Sequence, residues 1–168
     1  GKSNEDAFGH QVYIQDSRAP VLVCVVADGI GGHRAGEVAS ATAVHSILDY
    51  LSHQPEGRPI TLCRRAINHA SQAILRQGRE NLQQSGMGTT LALIWLQDNR
   101  LFTAHLGDSR IYLYRNHRLF QLSTDHTWVQ DAIENGLLDP CTGRDHPHAH
   151  IIRRYLGSDP PSEVDCRV

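Results

Sequence analysis

Residues 20–37, PVLVCVVADGIGGHRAGE, decide how the rest of the chain is read. An apolar run from Val21 to Ala27 ends at Asp28 and is followed by Gly29, Gly31, Gly32 and Gly36. The run is short and β-branched, which suits a buried strand better than a helix. Helical spacing of apolar residues begins just past Gly36. The pattern is a strand, a glycine-rich turn and a helix, with a carboxylate where the strand ends.

Several kinds of turn compete for that outline. A phosphate-cradling loop needs G-x-x-x-x-G-K-S/T; Gly31 and Gly36 have the spacing, but Glu37 and Val38 stand in place of Lys and Ser/Thr. A carboxylate there would repel a polyphosphate. The dinucleotide fingerprint fails too, because Arg34 occupies the next glycine position required after Gly29 and Gly31. An acidic turn remains, in which glycines permit sharp bends and let a carbonyl approach a ligand closely. Asp28 and the Gly29 carbonyl are hard oxygen donors suited to Mg²⁺ or Mn²⁺. An ordinary strand-to-helix loop is the alternative that this stretch leaves open.

Working outward, 168 residues fit a single domain with a sizeable core. A formal net charge of −2 without a basic stripe argues against nucleic acid as a partner. No apolar stretch approaches the length of about 18 residues that a membrane span needs, and nothing resembles a signal peptide. Cys24, Cys63, Cys141 and Cys166 lie far apart with no C-x-x-C pair, so reduced thiols and a cytoplasmic location are expected. Cys24 reads as a small core residue of the apolar strand.

Before the decisive stretch, Glu5 and Asp6 sit near the start of a strand that runs on through residues 11–15, QVYIQ. Alternation points the two acids to opposite faces, one toward a ligand and one bracing from behind. After it, Val38, Ala41, Val44, Ile47, Leu48 and Leu51 mark an amphipathic helix from about Gly36 to His53. QPEGRP (54–59) breaks it, and Leu62, Ala66, Ile67, Ala70, Ala73 and Ile74 share one face of a second helix. Strand candidates follow at 87–97, 100–107, 109–116 and 118–123, joined by spacers short enough for antiparallel hairpins. Helices in one run and strands in another predict an α+β or layered αββα fold, not a doubly wound parallel sheet. A short helix around Trp128–Ile133, an irregular stretch, a further element at 151–160 and a strand start in SEVDCRV complete the chain.

Glu5, Asp6, Asp28, Asp108 and Asp125 all fall at predicted strand ends or turns, and strand ends gather along one edge of a sheet. Two unit charges 4 Å apart repel by roughly 4 kcal/mol at an effective dielectric near 20, so converging acids need cations. Two-metal hydrolytic sites use this arrangement; scattered turn aspartates are the plainer explanation. His146, His148 and His150 alternate in HPHAH, but nothing completes a zinc-like set, and they read as solvated loop. Arg110 reads as a structural ion-pair partner. Asp125-His126 lacks a G-x-S-x-G elbow, so acyl transfer is unsupported.

NEDAF (4–8), VADGIGGHRAGEVAS (26–40), GTTLALIW (88–95), AHLGDSRIYLYR (104–115), LSTDHTWVQ (122–130) and IIRRYLGSDP (151–160) occur in the order of one family. Together they resemble the metal-dependent protein phosphatases of the protein phosphatase 2C type, in their compact bacterial form. The resemblance implies an αββα sandwich of two mainly antiparallel sheets between helical layers. It implies a metal centre of two, or three, Mn²⁺ or Mg²⁺ ions at one edge. By matching position, Asp28 would bridge two ions, the Gly29 carbonyl would bind one and Glu5 the other. Asp6 would brace Asp28, Asp108 would serve a third, weaker ion, and residues of about 126–151 would form a flap beside the cleft.

The implied activity is serine/threonine protein phosphatase chemistry through a metal-activated water. The implied partners are phosphoserine and phosphothreonine proteins, including a cognate kinase and its substrates. Gly1 stands where many relatives carry a phosphate-holding arginine, and Ile30 where some carry a histidine; His33 does not inherit that role. The family's later S-D-G and D-N motifs have no counterpart before Val168, so residues 1–168 read as one incomplete phosphatase domain, expected to be inactive by itself. These departures also motivate a different reading, a non-catalytic module that binds a phosphorylated partner or senses a ligand.

Overall fold

A computed structural model describes residues 4–14, 19–53 and 57–168, apart from the side chains of His33 and Arg144. The Gly1 position, Gln15 at the end of QVYIQ and part of the QPEGRP breaker lie outside the described residues. Two strands open the chain, β1 (Asp6–Tyr13) and β2 (Val21–Ile30). Two long helices follow, α1 (His33–Ser52) and α2 (Pro59–Glu80). Then come β3 (Gly88–Thr89), β4 (Leu91–Gln97), β5 (Arg100–Leu106), β6 (Tyr112–Arg115) and β7 (Arg118–Gln121). The short helix α3 (Trp128–Glu134) and strand β8 (Asp165–Arg167) complete the elements used below.

The fold is α+β. β1, β2, β4, β5 and β8 lie in that order in a sheet whose pairings are antiparallel, with β3 attached to the end of β2; β6 and β7 form a separate hairpin. The short spacers at Asp98-Asn99 and Asn116-His117 turn in the left-handed region, which is how β4 meets β5 and β6 meets β7 antiparallel.

Alternation in β2 sends Val21, Val23, Val25 and Ala27 under the helices, where they meet Ala39, Ala43 and Ile47 of α1. From α2 come Leu62, Ala66, Ile67, Ala70 and Ile74, the face that the apolar spacing marked out. Leu91 and Leu93 of β4 complete this layer at 0% exposure, and truncating either to alanine would cost about 2–5 kcal/mol.

Several expectations need correction. The strand does not stop at Asp28: β2 runs on to Ile30 because β3 supplies partners for Gly29 and Ile30. Gly31-Gly32 then completes the turn, so α1 starts at His33, earlier than the apolar spacing indicates. The candidate strand 87–97 is divided at Thr90, whose amide and hydroxyl turn to Asp28. Cys24 is not a core residue; its even position in β2 puts it on the sheet face away from the helices, whereas Cys63 is buried on α2. Residues 151–160 form no helix or strand and are tied down by isolated bridges, Thr127 to Ile152 and Thr89 to Leu156.

Candidate metal centre

The ends of β2 and β5 and the starts of β1 and β4 meet at one edge of the sheet, and the acids sit there. Asp6 opens β1 directly opposite Asp28 in the β1–β2 register. Both are exposed. Glu5, one residue earlier, is half-buried and turns toward α1, where its Oε2 lies where a Cβ on Gly36 would be. The two neighbouring acids therefore do point apart. Asp108 follows Gly107, just past the end of β5.

The backbone at Asp28 is held by three bonds to the GTT segment. The Asp28 N–H donates to Thr90 Oγ1 at 2.9 Å, while the Thr90 N–H and the Thr89 hydroxyl donate to the Asp28 carbonyl, each at 2.9 Å. Thr90 Oγ1 also lies 2.6 Å from Ser109 Oγ. One threonine thus ties the Asp28 strand to the turn that carries Asp108. On the other side, the Gly29 N–H donates to the Glu5 carbonyl at 3.1 Å, and the Ser40 hydroxyl of α1 donates to the same oxygen at 2.6 Å.

Gly29 is a glycine for a reason the sequence did not show. A Cβ there would overlap the carbonyl of Gly36, so strand and helix touch backbone to backbone at this point. Gly36 stands out in the sequence only as a turn glycine, and Thr90 and Ser109 only as parts of family-like segments.

The electrostatics show how closely the acids gather. Partial burial, then Asp6, then Asp108 and Glu5, push the Asp28 carboxyl above the usual carboxylate range. Asp125 is not one of these neighbours. It takes a bidentate grip from Arg110, whose Nε donates to Oδ1 at 2.9 Å and whose Nη2 donates to Oδ2 at 2.6 Å, which is the expected structural ion pair.

The donor set is all oxygen, carboxylates and one carbonyl, the chemistry that suits Mg²⁺ or Mn²⁺. Among the described residues no three His, Cys, Asp or Glu side chains close around a single point. Asp28, the Gly29 carbonyl, Glu5 and Asp108 are the donors at this edge that could hold such ions, with water in the remaining positions. Of the HPHAH histidines, His150 lines a cavity that Asp108 also lines. His146 and His148 are not simply solvated, because both rings pack on Trp128, with centroids 4.9 Å and 5.0 Å away. No helix among the described residues is long and apolar enough to cross a membrane.

Comparison with known proteins matches residues 1–138 to the family Protein phosphatase 2C. A serine/threonine phosphatase of Listeria monocytogenes is 35% identical over 98% of this chain. The chain spans 66% of that relative's length. The crystal structure of the Mycobacterium tuberculosis serine/threonine phosphatase PstP superposes with a TM-score of 0.80 at 34% identity, covering 98% of this chain and 67% of the other. A structure of the PstP catalytic domain in complex with two manganese ions superposes with a TM-score of 0.75 at 34% identity, covering 98% of this chain and 66% of that one.

Proposed function

The chain belongs to the protein phosphatase 2C family, and from that premise we propose that it serves metal-dependent hydrolysis of phosphoserine and phosphothreonine in proteins. The observation that carries this reading is the meeting of Asp6 and Asp28 across the β1–β2 ladder, with the Asp108 turn tied to the same edge through Thr90 and Ser109. Such a cluster is costly without cations, and the relative that holds two manganese ions supports the choice of metal. Bound at this edge, Mn²⁺ or Mg²⁺ ions would neutralise phosphoryl oxygens and lower the pKa of an attacking water toward neutrality.

Each residue then has a role. Asp28 would hold two ions, the Gly29 carbonyl and Glu5 would each serve one of them, and Asp108 would serve a third. Asp6 braces Asp28 from the facing strand. Thr90 fixes the Asp28 backbone and, through Ser109, its spacing from Asp108. No nucleophilic side chain is required, in keeping with the absence of a Cys-x5-Arg signature.

The substrates are phosphoproteins, with a cognate kinase as the opposing partner and the cytoplasm as the compartment, in keeping with the unpaired thiols. Residues of about 126–151 form the flap. The donors on residues 1–168 are few for two ions, so these residues by themselves turn over no substrate. A non-catalytic module that binds a phosphorylated partner is the competing reading, favoured by the lack of any three side chains closed around one point among the described residues. Hydrolysis of p-nitrophenyl phosphate by the protein at its full encoded length separates the two. Turnover that appears with Mn²⁺ and vanishes with chelator supports the enzyme; none in either condition favours the module.

A further inference from the structure

Behind the carboxylates lies a second cluster that the proposed chemistry does not use. His105 and His126 are buried, at 2% and 3% exposure, with their rings 5.0 Å apart. His105 donates from Nε2 to the Ser109 carbonyl at 2.6 Å. His126 clasps Gly107 twice: its backbone N–H donates to the Gly107 carbonyl at 2.8 Å, and its Nδ1 accepts the Gly107 N–H at 3.2 Å. An Nδ1 that accepts carries no proton, so the ring proton sits on Nε2. That nitrogen faces Asp165 Oδ2 of β8 at 3.3 Å, without meeting it squarely enough for a full hydrogen bond. The other Asp165 oxygen is held by Arg154 at 3.0 Å.

Gly107 has φ +94, and a Cβ there would run into Thr90, the residue that fixes the Asp28 backbone. The turn is therefore confined on one side by Thr90 and on the other by His126. The next residue is Asp108. His126 also receives the Arg153 N–H on its own carbonyl at 2.8 Å, so the root of the 126–151 segment meets the Asp108 turn at this ring.

We propose that His126 is a positioning residue for Asp108, holding the Gly107 amide through an Nε2-protonated ring that Asp165 keeps in that tautomer. The proposal rests on the reading of Asp108 as a metal ligand. It assigns His126 no contact with substrate or metal; its effect passes through the backbone of one turn. Such indirect supports typically change metal affinity about 10–100-fold.

The test compares His126→Phe, which keeps a flat ring but has no acceptor, with His126→Asn, whose Oδ1 can replace Nδ1 as the acceptor. Both are made in the protein at its full encoded length. Calorimetric Mn²⁺ titration reads the weakest binding event, and amide hydrogen exchange reads Gly107. The expected result is about tenfold weaker Mn²⁺ binding and faster Gly107 exchange in His126→Phe, with both restored toward wild type in His126→Asn. Equal losses in the two variants, or unchanged Mn²⁺ binding in His126→Phe, would overturn the proposal.

If His126→Phe does not fold, Asp165→Asn with imidazole ¹⁵N shifts decides. A mixed His126 tautomer with weakened Mn²⁺ binding supports the relay; an unchanged tautomer overturns it. Asp108→Asn is the control for the underlying reading. If it leaves the weakest Mn²⁺ event intact, Asp108 is not a metal ligand, and Gly107 exchange still shows whether the clasp exists.

Discussion

Asp6 and Asp28 face each other across the β1–β2 ladder, and the resulting repulsion helps hold the Asp28 carboxyl above its usual range. Partial burial is the larger cause, and Asp108 and Glu5 add to it. A carboxyl whose folded pKa is raised costs stability while it is charged, and that cost is relieved as pH falls through the folded pKa. In metal-free protein at neutral pH, Asp28→Asn should therefore stabilise. Because Asp28 is exposed and solvent screens its neighbours, the gain should not exceed about 1 kcal/mol, roughly 2–4 °C in melting temperature. A melt in chelator checks this; a lower melting temperature for the variant would contradict it.

The contact between Gly36 and Glu5 gives a second prediction. Helix propensity alone favours Gly36→Ala by about 1 kcal/mol. Against that, the new methyl would overlap Glu5 Oε2 and crowd the Gly29 carbonyl carbon at 3.0 Å. The close approach should win, so Gly36→Ala should lower the melting temperature and weaken Mn²⁺ binding by about 10–100-fold. Calorimetry reads the metal; a more stable variant with unchanged Mn²⁺ affinity would show that Glu5 is free to move aside.

What could be read in advance, and what could not, follows from the range of each interaction. Asp28 stood out because an apolar run ended on a carboxylate, and Glu5 and Asp6 were separated by the two-residue period of a strand. These are local signals. The sequence assigns Gly29 the roles of bending the chain and bringing its carbonyl to a ligand, but not its contact with Gly36, which exists only once helix and strand have packed. Cys24 was misplaced because a continuous apolar run hides which face is covered, and only the position of α1 and α2 decides it. Thr90 and Ser109 come together from distant positions in the sequence, and so do His126 and Asp165, so no spacing rule could pair them.

The HPHAH histidines supply a third prediction. Replacing His146, His148 and His150 by Gln should leave the number of bound metal ions unchanged by elemental analysis. Because the His146 and His148 rings pack on Trp128, the same variant should shift tryptophan fluorescence. A lost metal ion would make HPHAH a binding site.

The buried histidines set a pH dependence. Burial first, then His126, lowers the pKa of His105, while the bond to the Ser109 carbonyl, then Asp125 and Asp165, oppose the shift. Burial first, then Arg154, lowers that of His126, against Asp165 and Asp131. Both folded values lie below the unfolded value of about 6.5. Their contribution to stability is therefore complete above about pH 6.5 and is lost as pH falls toward the folded values. Denaturant midpoints measured in Asp28→Asn, which removes the opposite trend of that carboxyl, should fall between about pH 7.5 and 5.5. A flat profile would mean that the rings take up protons alike in the folded and the unfolded protein.

The most direct measurement is Mn²⁺-dependent release of phosphate from a phosphoserine peptide by the protein at its full encoded length, with and without Asp28→Asn. Circular dichroism accompanies both to show that the fold is kept. The expected result is turnover by the wild type that needs Mn²⁺, and none above background from a folded Asp28→Asn. Near-normal turnover by that variant with Mn²⁺ present would contradict the assignment of the metal centre to this sheet edge.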